Sequence, residues 1–570
     1  MYLKEFIQLL IYVGAVLAIT KPMGVYLFNI LNVNGKTWLD KIIKPIERLT
    51  YKILGINPGG EQNWKQYGSA MLIFSTITFL FTYIVLRIQQ YLPLNPQYFS
   101  NLSPDLAFNT AVSFATNTNL QGYTGESTMS YFSQMVALTT HNFWSAACGI
   151  AIAAALIRGI TGNAQKTLGN FWVDITRITY YLLLPIAFIF AIILVSCGMI
   201  QNFDPYTVAK TIESQTQTIV QGPMASQVAI KLLGTNGGGF TNANASHPFE
   251  NPTGFSNFLQ MLVILSIPSG LTYYLGKMAN SQKHGWSIWI IMFIVFFIGF
   301  LFVWHYEVVG NPIHQQLGIT ETAGNMEGKE TRFGIFNSSL FATITTDTST
   351  GAVNAMHDSF TPLGGLILLV NMQLGEVVFG GVGSGIYGII VFVIFAVFIV
   401  GLMVGRTPEY LGQKIEIYDI KVCSLFILVA AFSILGFTAW ASINNWGITS
   451  LNNNGPHGLT EIIYAFSSAT GNNGSTFAGL VTNTTQYNIL LGVAMLIGRY
   501  FMMIPIIALA GSFARKKIVP AGLGTFPLSG LIFIFLVVGI IILVGALTFL
   551  PALALGPVLE HYLMKAGKLF

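Results

Sequence analysis

The sequence predicts an all-α polytopic membrane protein, with ten transmembrane helices and four pseudo-symmetric helix–pore loop–helix repeats around a central pore. Three observations predict it. Of 570 residues, 53% are hydrophobic and only 9% are charged, more apolar surface than soluble cores need. The apolar runs recur at lengths near the roughly 20 residues that a helix needs to cross about 30 Å of hydrocarbon. Between those runs, a small cluster of Thr, Asn, Ser and Gly recurs four times.

In a bilayer the backbone must satisfy its own hydrogen bonds, so each long apolar run reads as a helix. The runs lie near 3–20, 68–90, 132–157, 178–200, 257–275, 286–304, 385–405, 421–442, 487–510 and 526–550. The first is read as a span and not a secretory signal, because no clear small-residue cleavage site precedes Lys21 and Pro22 and a basic loop follows. Cys148, Cys197 and Cys423 fall in or beside apolar helices without paired or metal-ligand spacing, as packing residues do.

Lysine and arginine in loops are retained on the cytoplasmic side. The loops at 21–67, 158–177, 276–285, 405–421 and 511–525 hold eighteen of them, whereas those at 91–131, 201–256, 305–359 and 443–486 hold only Lys210, Lys231, Lys329 and Arg332. The asymmetry predicts an inner-membrane protein with both termini outside. It also accounts for the net charge of +5, and no basic arm or aromatic–basic interleaving points to nucleic acid.

The lysine-poor loops are unusual connectors, since each carries a semi-apolar helical stretch that runs into one of the clusters. The stretches LAFNTAVSFA, SQVAIKLL, LFATITTD and EIIYAFSSA precede them. The clusters are Thr116-Asn117-Thr118-Asn119, Gly234-Thr235-Asn236-Gly237, Thr348-Ser349-Thr350-Gly351 and Gly471-Asn472-Asn473-Gly474. One such cluster reads as a turn. Four at the same place in four helix pairs read as an internal repeat.

Such tetrapeptides suit a dehydrated cation. Four short helices entering from one side can aim their partly negative C-termini at a common axis, and extended backbone beyond them can turn carbonyls inward. Glycine at the fourth position allows dihedrals closed to most residues, and Asn119, which replaces it in the first cluster, is among the side chains that best tolerate them. No tetrapeptide contains a carboxylate, which favours a large monovalent ion over a divalent one. Asp347 stands beside the third cluster and is placed behind it or at its mouth.

On these residues the chain resembles the potassium-binding subunit of the Kdp potassium-transporting ATPase over nearly its whole length. The resemblance is carried by TNTNLQGYTGE at 116–126, GTNGGGFTNANASHPFENPT at 234–253, STGAVNAMHDSFTPLGG at 349–365, GEVVFGGVGSG at 375–385 and ATGNNGSTFAGL at 469–480. It implies that the sixteen tetrapeptide residues bind K+ and that Gln121 tunes affinity. It further implies that a partner P-type ATPase, KdpB, hydrolyses ATP, with the accessory chains KdpC and KdpF alongside. The sequence agrees by omission, since it has neither an Asp-Lys-Thr-Gly-Thr phosphorylation motif nor a Gly-Lys-Ser/Thr phosphate loop. A self-contained channel or ion-coupled transporter of the Trk and Ktr type, which shares the fourfold plan, is the alternative reading.

Residues 360–404 are too long for one span, so the stretch Gly375 to Gly385 is read as an interruption below the tetrapeptides. The family has such a loop, thought to obstruct passage to the cytoplasm, and Gly380, Gly381 and Gly383 are assigned to this barrier. Gly383 to Gly388 match GxGxxG, but no strand precedes them. Arg499, in mid-helix, demands a partner or a watery cavity. Glu376 is its candidate counter-ion, and the resemblance implies that Arg499 lies beneath the ion site. Glu126, His247, Glu250, His357, Asp358 and Glu461 are read as solvated or hydrogen-bonded loop residues. The expected organisation is a first helix with its basic loop at 1–67, repeats at 68–157, 158–275, 276–405 and 406–510, and a last helix at 511–570.

Overall fold

The computed structural model describes residues 3–32, 35–319, 324–374, 377–403, 405, 407–520 and 525–568, without the side chain of residue 315. Among the described residues ten helices are long and apolar enough to cross a membrane. Eight are α1 (Leu3–Leu31), α3 (Trp64–Ile88), α5 (Ser133–Thr161), α6 (Phe171–Ser196), α8 (Gly254–Met278), α9 (Gln282–Val309), α13 (Ile417–Ser442) and α15 (Thr485–Ala514). The others are α12 (Ser384–Met403) and α16 (Leu531–Leu553), the latter continuing toward α17 (Leu559–Lys565). Four shorter helices each lead into one tetrapeptide: α4 (Pro104–Ala115), α7 (Met224–Leu233), α10 (Gly334–Asp347) and α14 (Gly455–Thr470).

Local chemistry starts and stops these short helices. Ser103 caps α4 by accepting from the Leu106 N–H, with Pro104 at the first helical position. Pro456 lies at the second position of α14, also in the first turn. Along their lengths α4, α7, α10 and α14 are almost wholly buried, so they are packed as a protein interior and not as lipid-facing surface.

The first helix runs past Pro22, where the sequence reading ended it. Tertiary contact outweighs the hydrogen bond lost at the proline. A Cβ on Gly24 would lie 2.7 Å from the Gly270 carbonyl, and Thr20 Oγ1 meets Ser269 Oγ at 2.5 Å, so α1 and α8 cross at close range. The expected basic loop at 21–67 likewise contains a helix, α2 (Asp40–Leu54). Ile43, Glu47 and Tyr51 face inward, while Ile42, Ile46, Leu49 and Ile53 form an exposed apolar stripe. With Lys41, Lys44, Arg48 and Lys52 beside that stripe, α2 has the pattern of a helix lying at a bilayer surface. Two antiparallel pairs, β1 (Thr207–Lys210) with β2 (Thr216–Ile219) and β3 (Glu409–Tyr410) with β4 (Gln413–Lys414), are small exceptions to the helical fold.

On the lysine-rich side, Arg158 grips Asp174 with two bonds of 2.7 Å and the Leu31 and Leu168 carbonyls at 3.0 and 3.1 Å. Tyr67 adds a donor to the same carboxylate at 2.8 Å. This fork ties α1, α3, α5 and α6 together. Residues 360–404 are broken as expected: α11 (Pro362–Gln373) stops and α12 resumes at Ser384, so Gly385 belongs to the helix and not to the interruption.

Candidate functional site

The four tetrapeptides repeat one backbone conformation. Their first residues, Thr116, Gly234, Thr348 and Gly471, have φ between −98 and −74 and ψ between 2 and 10. The second residues are all left-handed, with φ of 67 at Asn117, 48 at Thr235, 45 at Ser349 and 50 at Asn472. The fourth are left-handed too, with φ of 52 at Asn119, 86 at Gly237, 80 at Gly351 and 94 at Gly474. Alternation of right- and left-handed residues puts successive N–H groups on one side of the chain. The carbonyls are thereby left on the other.

The N–H groups turn back into the preceding helix. At the third position Thr118, Asn236, Thr350 and Asn473 each donate to the carbonyl five residues earlier, at Ser113, Lys231, Thr345 and Ser468, over 2.7–3.1 Å. Among the described residues, none of these third-position carbonyls accepts a hydrogen bond. Unbonded carbonyls at full burial are uncommon.

The tetrapeptides close into a ring in chain order. Asn117 Nδ2 donates to the Gly234 and Thr235 carbonyls at 3.2 and 3.0 Å, and Ser349 Oγ to the Gly471 carbonyl at 3.1 Å. Asn472 Nδ2 reaches Thr118 Oγ1 at 2.9 Å, which joins the fourth segment to the first. Glycine contacts follow the same order. A Cβ on Gly237 would lie 1.7 Å from the Thr350 carbonyl oxygen, one on Gly351 2.2 Å from that of Asn473, and one on Gly474 1.8 Å from that of Thr118. In the first segment Asn119 carries a real Cβ, against which Gly238 packs, and its Nδ2 donates to Asn142 Oδ1 at 2.7 Å. Segments one and three pair hydroxyls, Thr116 with Thr118 and Thr348 with Thr350, each at 2.7 Å. Segments two and four instead use the amides of Asn236 and Asn473 as donors, to Asn117 Oδ1 at 2.6 Å and to the Thr345 carbonyl at 2.7 Å.

Gln121 spans two segments. Its Nε2 donates to the Gly239 carbonyl at 2.8 Å and its Oε1 accepts the Gly239 N–H at 2.9 Å. Asp347 ends α10, buried, and its two carboxylate oxygens have no hydrogen-bond partner among the described residues.

The interruption lies against the ring. Val382 N donates to Thr235 Oγ1 at 2.9 Å, and a Cβ on Gly383 would sit 2.1 Å from the Gly149 carbonyl of α5. Phe379, Gly380 and Gly383 are left-handed, with φ of 57, 61 and 102, whereas Gly381 is not among the positive-φ residues. Arg499, on α15, is buried and donates from Nη2 to the Ser145 carbonyl at 3.0 Å. Ser145 Oγ in turn donates to Asn117 Oδ1 at 2.9 Å. The proposed counter-ion Glu376, with Gly375, lies outside the described residues.

Several polar loop residues turn out to be internal. Glu250 and Glu461 are fully buried, Asp358 and His357 nearly so. Glu461 accepts from Asn453 Nδ2 at 2.8 Å, and Glu126 Oε2 accepts from the Asn242 N–H at 2.7 Å. Lys231 and Lys329, counted as loop charges from the sequence, are fully buried partners of Glu250 and Glu307 at 2.5 and 2.7 Å. A lysine inside the apolar run SQVAIKLL was the available signal, since such a charge requires a buried partner. Asp358, His457 and Glu461 gather within 4.8 Å of one another. Both His457 nitrogens are already engaged, to Asp358 at 2.9 Å and Glu560 at 2.8 Å, so the ring acts as a donor to two carboxylates. Burial opposes its charge, but those bonds overcome it and push its pKa up to about 10.

The family described as KdpA, potassium-transporting ATPase A subunit, matches residues 10–562. Two similar proteins, both titled potassium-transporting ATPase potassium-binding subunit, come from Acidobacterium capsulatum and Solibacter usitatus. The first is 55% identical over 591 residues and covers 100% of both chains. The second is 54% identical over 564 residues and covers 99% of both. Among solved structures, the potassium transporter TrkH from Vibrio parahaemolyticus has the same type of fold, with a TM-score of 0.50 at 16% identity over 77% of this chain and 85% of that one.

Proposed function

This chain belongs to the family of potassium-transporting ATPase A subunits, and from that membership we propose that it binds K+ as the potassium-binding subunit of such an ATPase, with the four tetrapeptides as the ion site. The observation that carries this reading is the ring: four buried third-position carbonyls, on Thr118, Asn236, Thr350 and Asn473, in segments that pack on one another in cyclic order. Carbonyl oxygens of this kind replace the water shell of a monovalent cation. The C-termini of α4, α7, α10 and α14 add their partial negative charge at the same place. Gln121, clamped on Gly239, holds the first and second segments in register and thereby tunes affinity.

Below the ring, the segment containing Gly380, Gly381 and Gly383 bars straight passage, and the Arg499 charge, for which the sequence offers Glu376 as counter-ion, repels a cation that descends. The ion therefore leaves sideways, toward the partner. ATP hydrolysis belongs to a P-type ATPase chain, accompanied by small accessory subunits, in the bacterial inner membrane. Both termini and the mouth of the ring face outward, in keeping with the lysine asymmetry.

The test is potassium-stimulated ATP hydrolysis by the chain purified with its P-type ATPase partner. Gly237→Asp, which puts a charged side chain where a Cβ would already lie 1.7 Å from the Thr350 carbonyl, is expected to abolish the stimulation. Unchanged potassium activation in that variant would remove the tetrapeptides from the ion site.

A further inference from the structure

The second tetrapeptide is held from behind by a buried lysine that acts through Asn244. Lys231 occupies the last turn of α7, with a fully buried side chain. Its Nζ donates to Glu250 Oε2 at 2.5 Å and to Asn244 Oδ1 at 2.7 Å. Glu250 is anchored in turn, since its Oε1 accepts from the Thr241 N–H at 2.6 Å and the Thr241 hydroxyl at 2.7 Å. The Asn244 amide can sit only one way round. Its oxygen is claimed by the ammonium and by the Ala245 N–H at 2.8 Å, so its Nδ2 points the other way and donates to the Gly237 carbonyl at 2.6 Å. The backbone of Lys231 acts on the same segment, because its carbonyl accepts the Asn236 and Gly237 N–H groups at 2.7 and 3.1 Å.

This makes the fourth carbonyl of segment two unlike its counterparts. Among the described residues the Gly351 and Gly474 carbonyls accept no hydrogen bond, whereas that of Gly237 is held by an oriented amide. A carbonyl held by a donor is fixed in direction and weakened as a ligand, and both properties bear on which cation a ring of carbonyls prefers.

We propose that Lys231, Glu250 and Asn244 are positioning residues that fix the Gly237 carbonyl and so set the discrimination among monovalent cations. The inference rests on the assignment of the tetrapeptides as the potassium site. The structure supplies its own control. Lys329 and Glu307 form a second fully buried pair at 2.7 Å, built from like parts: Glu307 Oε1 accepts from the Thr361 N–H and hydroxyl at 2.8 and 2.7 Å, and Oε2 from Asn325 Nδ2 at 2.8 Å. That pair reaches the loop before α11, and among the described residues it hydrogen-bonds to no tetrapeptide.

The experiment measures potassium and rubidium activation of ATP hydrolysis by the assembled complex. Asn244→Gly suits the left-handed backbone there, φ 52, and deletes the donor. Asn244→Asp keeps an acceptor for Lys231 but also lacks the donor. Both are expected to raise the half-activating potassium concentration about tenfold and to narrow the preference for K+ over Rb+, with the maximal rate within about twofold, the pattern of lost binding and not lost turnover. The neutral double variant Lys231→Met with Glu250→Gln is expected to assemble and to show the same narrowed preference, because the amide is no longer oriented. The corresponding Lys329→Met with Glu307→Gln is expected to keep the native preference. Native potassium affinity and preference in both Asn244 variants would overturn the proposal, as would an equal shift in the Lys329 and Glu307 double variant. If Gly237→Asp also leaves potassium activation unchanged, the ion-site assignment itself fails. If Gly237→Asp abolishes activation while the Asn244 variants behave as native, only the positioning role fails.

Discussion

Two kinds of non-helical backbone lie deep in this molecule, the ring of four tetrapeptides and the interruption before α12, and they are held very differently. Each tetrapeptide returns its third N–H to its own helix and alternates handedness, and the first, third and fourth also tie a side chain to the next segment. Among the described residues of the interruption between Gln373 and Ser384, one hydrogen bond meets the ring, Val382 N to Thr235 Oγ1, and the segment packs on α5 at Gly149. The ring is thus over-determined, as a cage that must not collapse around a small ion has to be. The described residues of the interruption are sparsely tied, and segments that move during function come from the weakly held part of a structure. Irregular backbone at membrane depth can serve as a rigid ligand set or as a barrier, and the density of its hydrogen bonds separates the two.

The largest expected effect strikes the rigid member. Gly474→Ala forces a Cβ to within 1.8 Å of the Thr118 carbonyl oxygen at a left-handed residue. Overpacking of about 1–3 kcal/mol should weaken potassium binding up to about a hundredfold, read by titration of the purified complex. A native affinity would mean that the ring is looser than its contacts imply.

Gly383→Ala acts on the other member. Its Cβ would meet the Gly149 carbonyl at 2.1 Å, lifting the segment off α5. Roughly tenfold loss of coupling between ATP hydrolysis and potassium uptake is expected, at about one lost hydrogen bond's worth of energy, with a passive potassium leak in proteoliposomes. Lost uptake with no leak under any condition would exclude a barrier. Arg499→Gln keeps a donor for the Ser145 carbonyl but removes the charge, so coupling should fall by about a few-fold with potassium affinity little changed. Equal coupling in that variant would reduce Arg499 to a packing role.

The smallest effect lies on the rim, away from both stretches. His457 joins Asp358 to Glu560 of α17. Its pKa is raised from 6.5 to about 10, so the protonated ring stabilises the folded state fully below pH 6.5. That contribution is lost as pH rises through about 10. Amide exchange in α17, corrected for its intrinsic pH dependence, should therefore accelerate near that pH, and His457→Gln should abolish the step. A flat profile in the native chain would contradict the tie.

The sequence was legible where chemistry is local. Ten apolar runs announce ten spans because hydrocarbon thickness sets helix length. The tetrapeptides announce themselves because left-handed positions favour Asn and Gly and because four such clusters recur after semi-apolar helices, and the break before Ser384 because one helix could not span that length. Other features were hidden for equally physical reasons. Pro22 ends a helix by local rules, yet the Gly24–Gly270 crossing carries α1 onward. Lys231 read as a loop charge and Glu250 as a solvated or hydrogen-bonded loop residue, because a buried ion pair is a property of two segments at once.

By itself, then, the chain determined its solvent, its number of crossings and the four places where backbone leaves the helix. Only the folded arrangement decided that these four meet in cyclic order, that Arg499 finds the Ser145 carbonyl, and that Lys231 stands behind the second segment. Hydrophobic length and backbone dihedrals are set residue by residue, whereas a shared centre and a buried charge pair exist only once distant segments have packed.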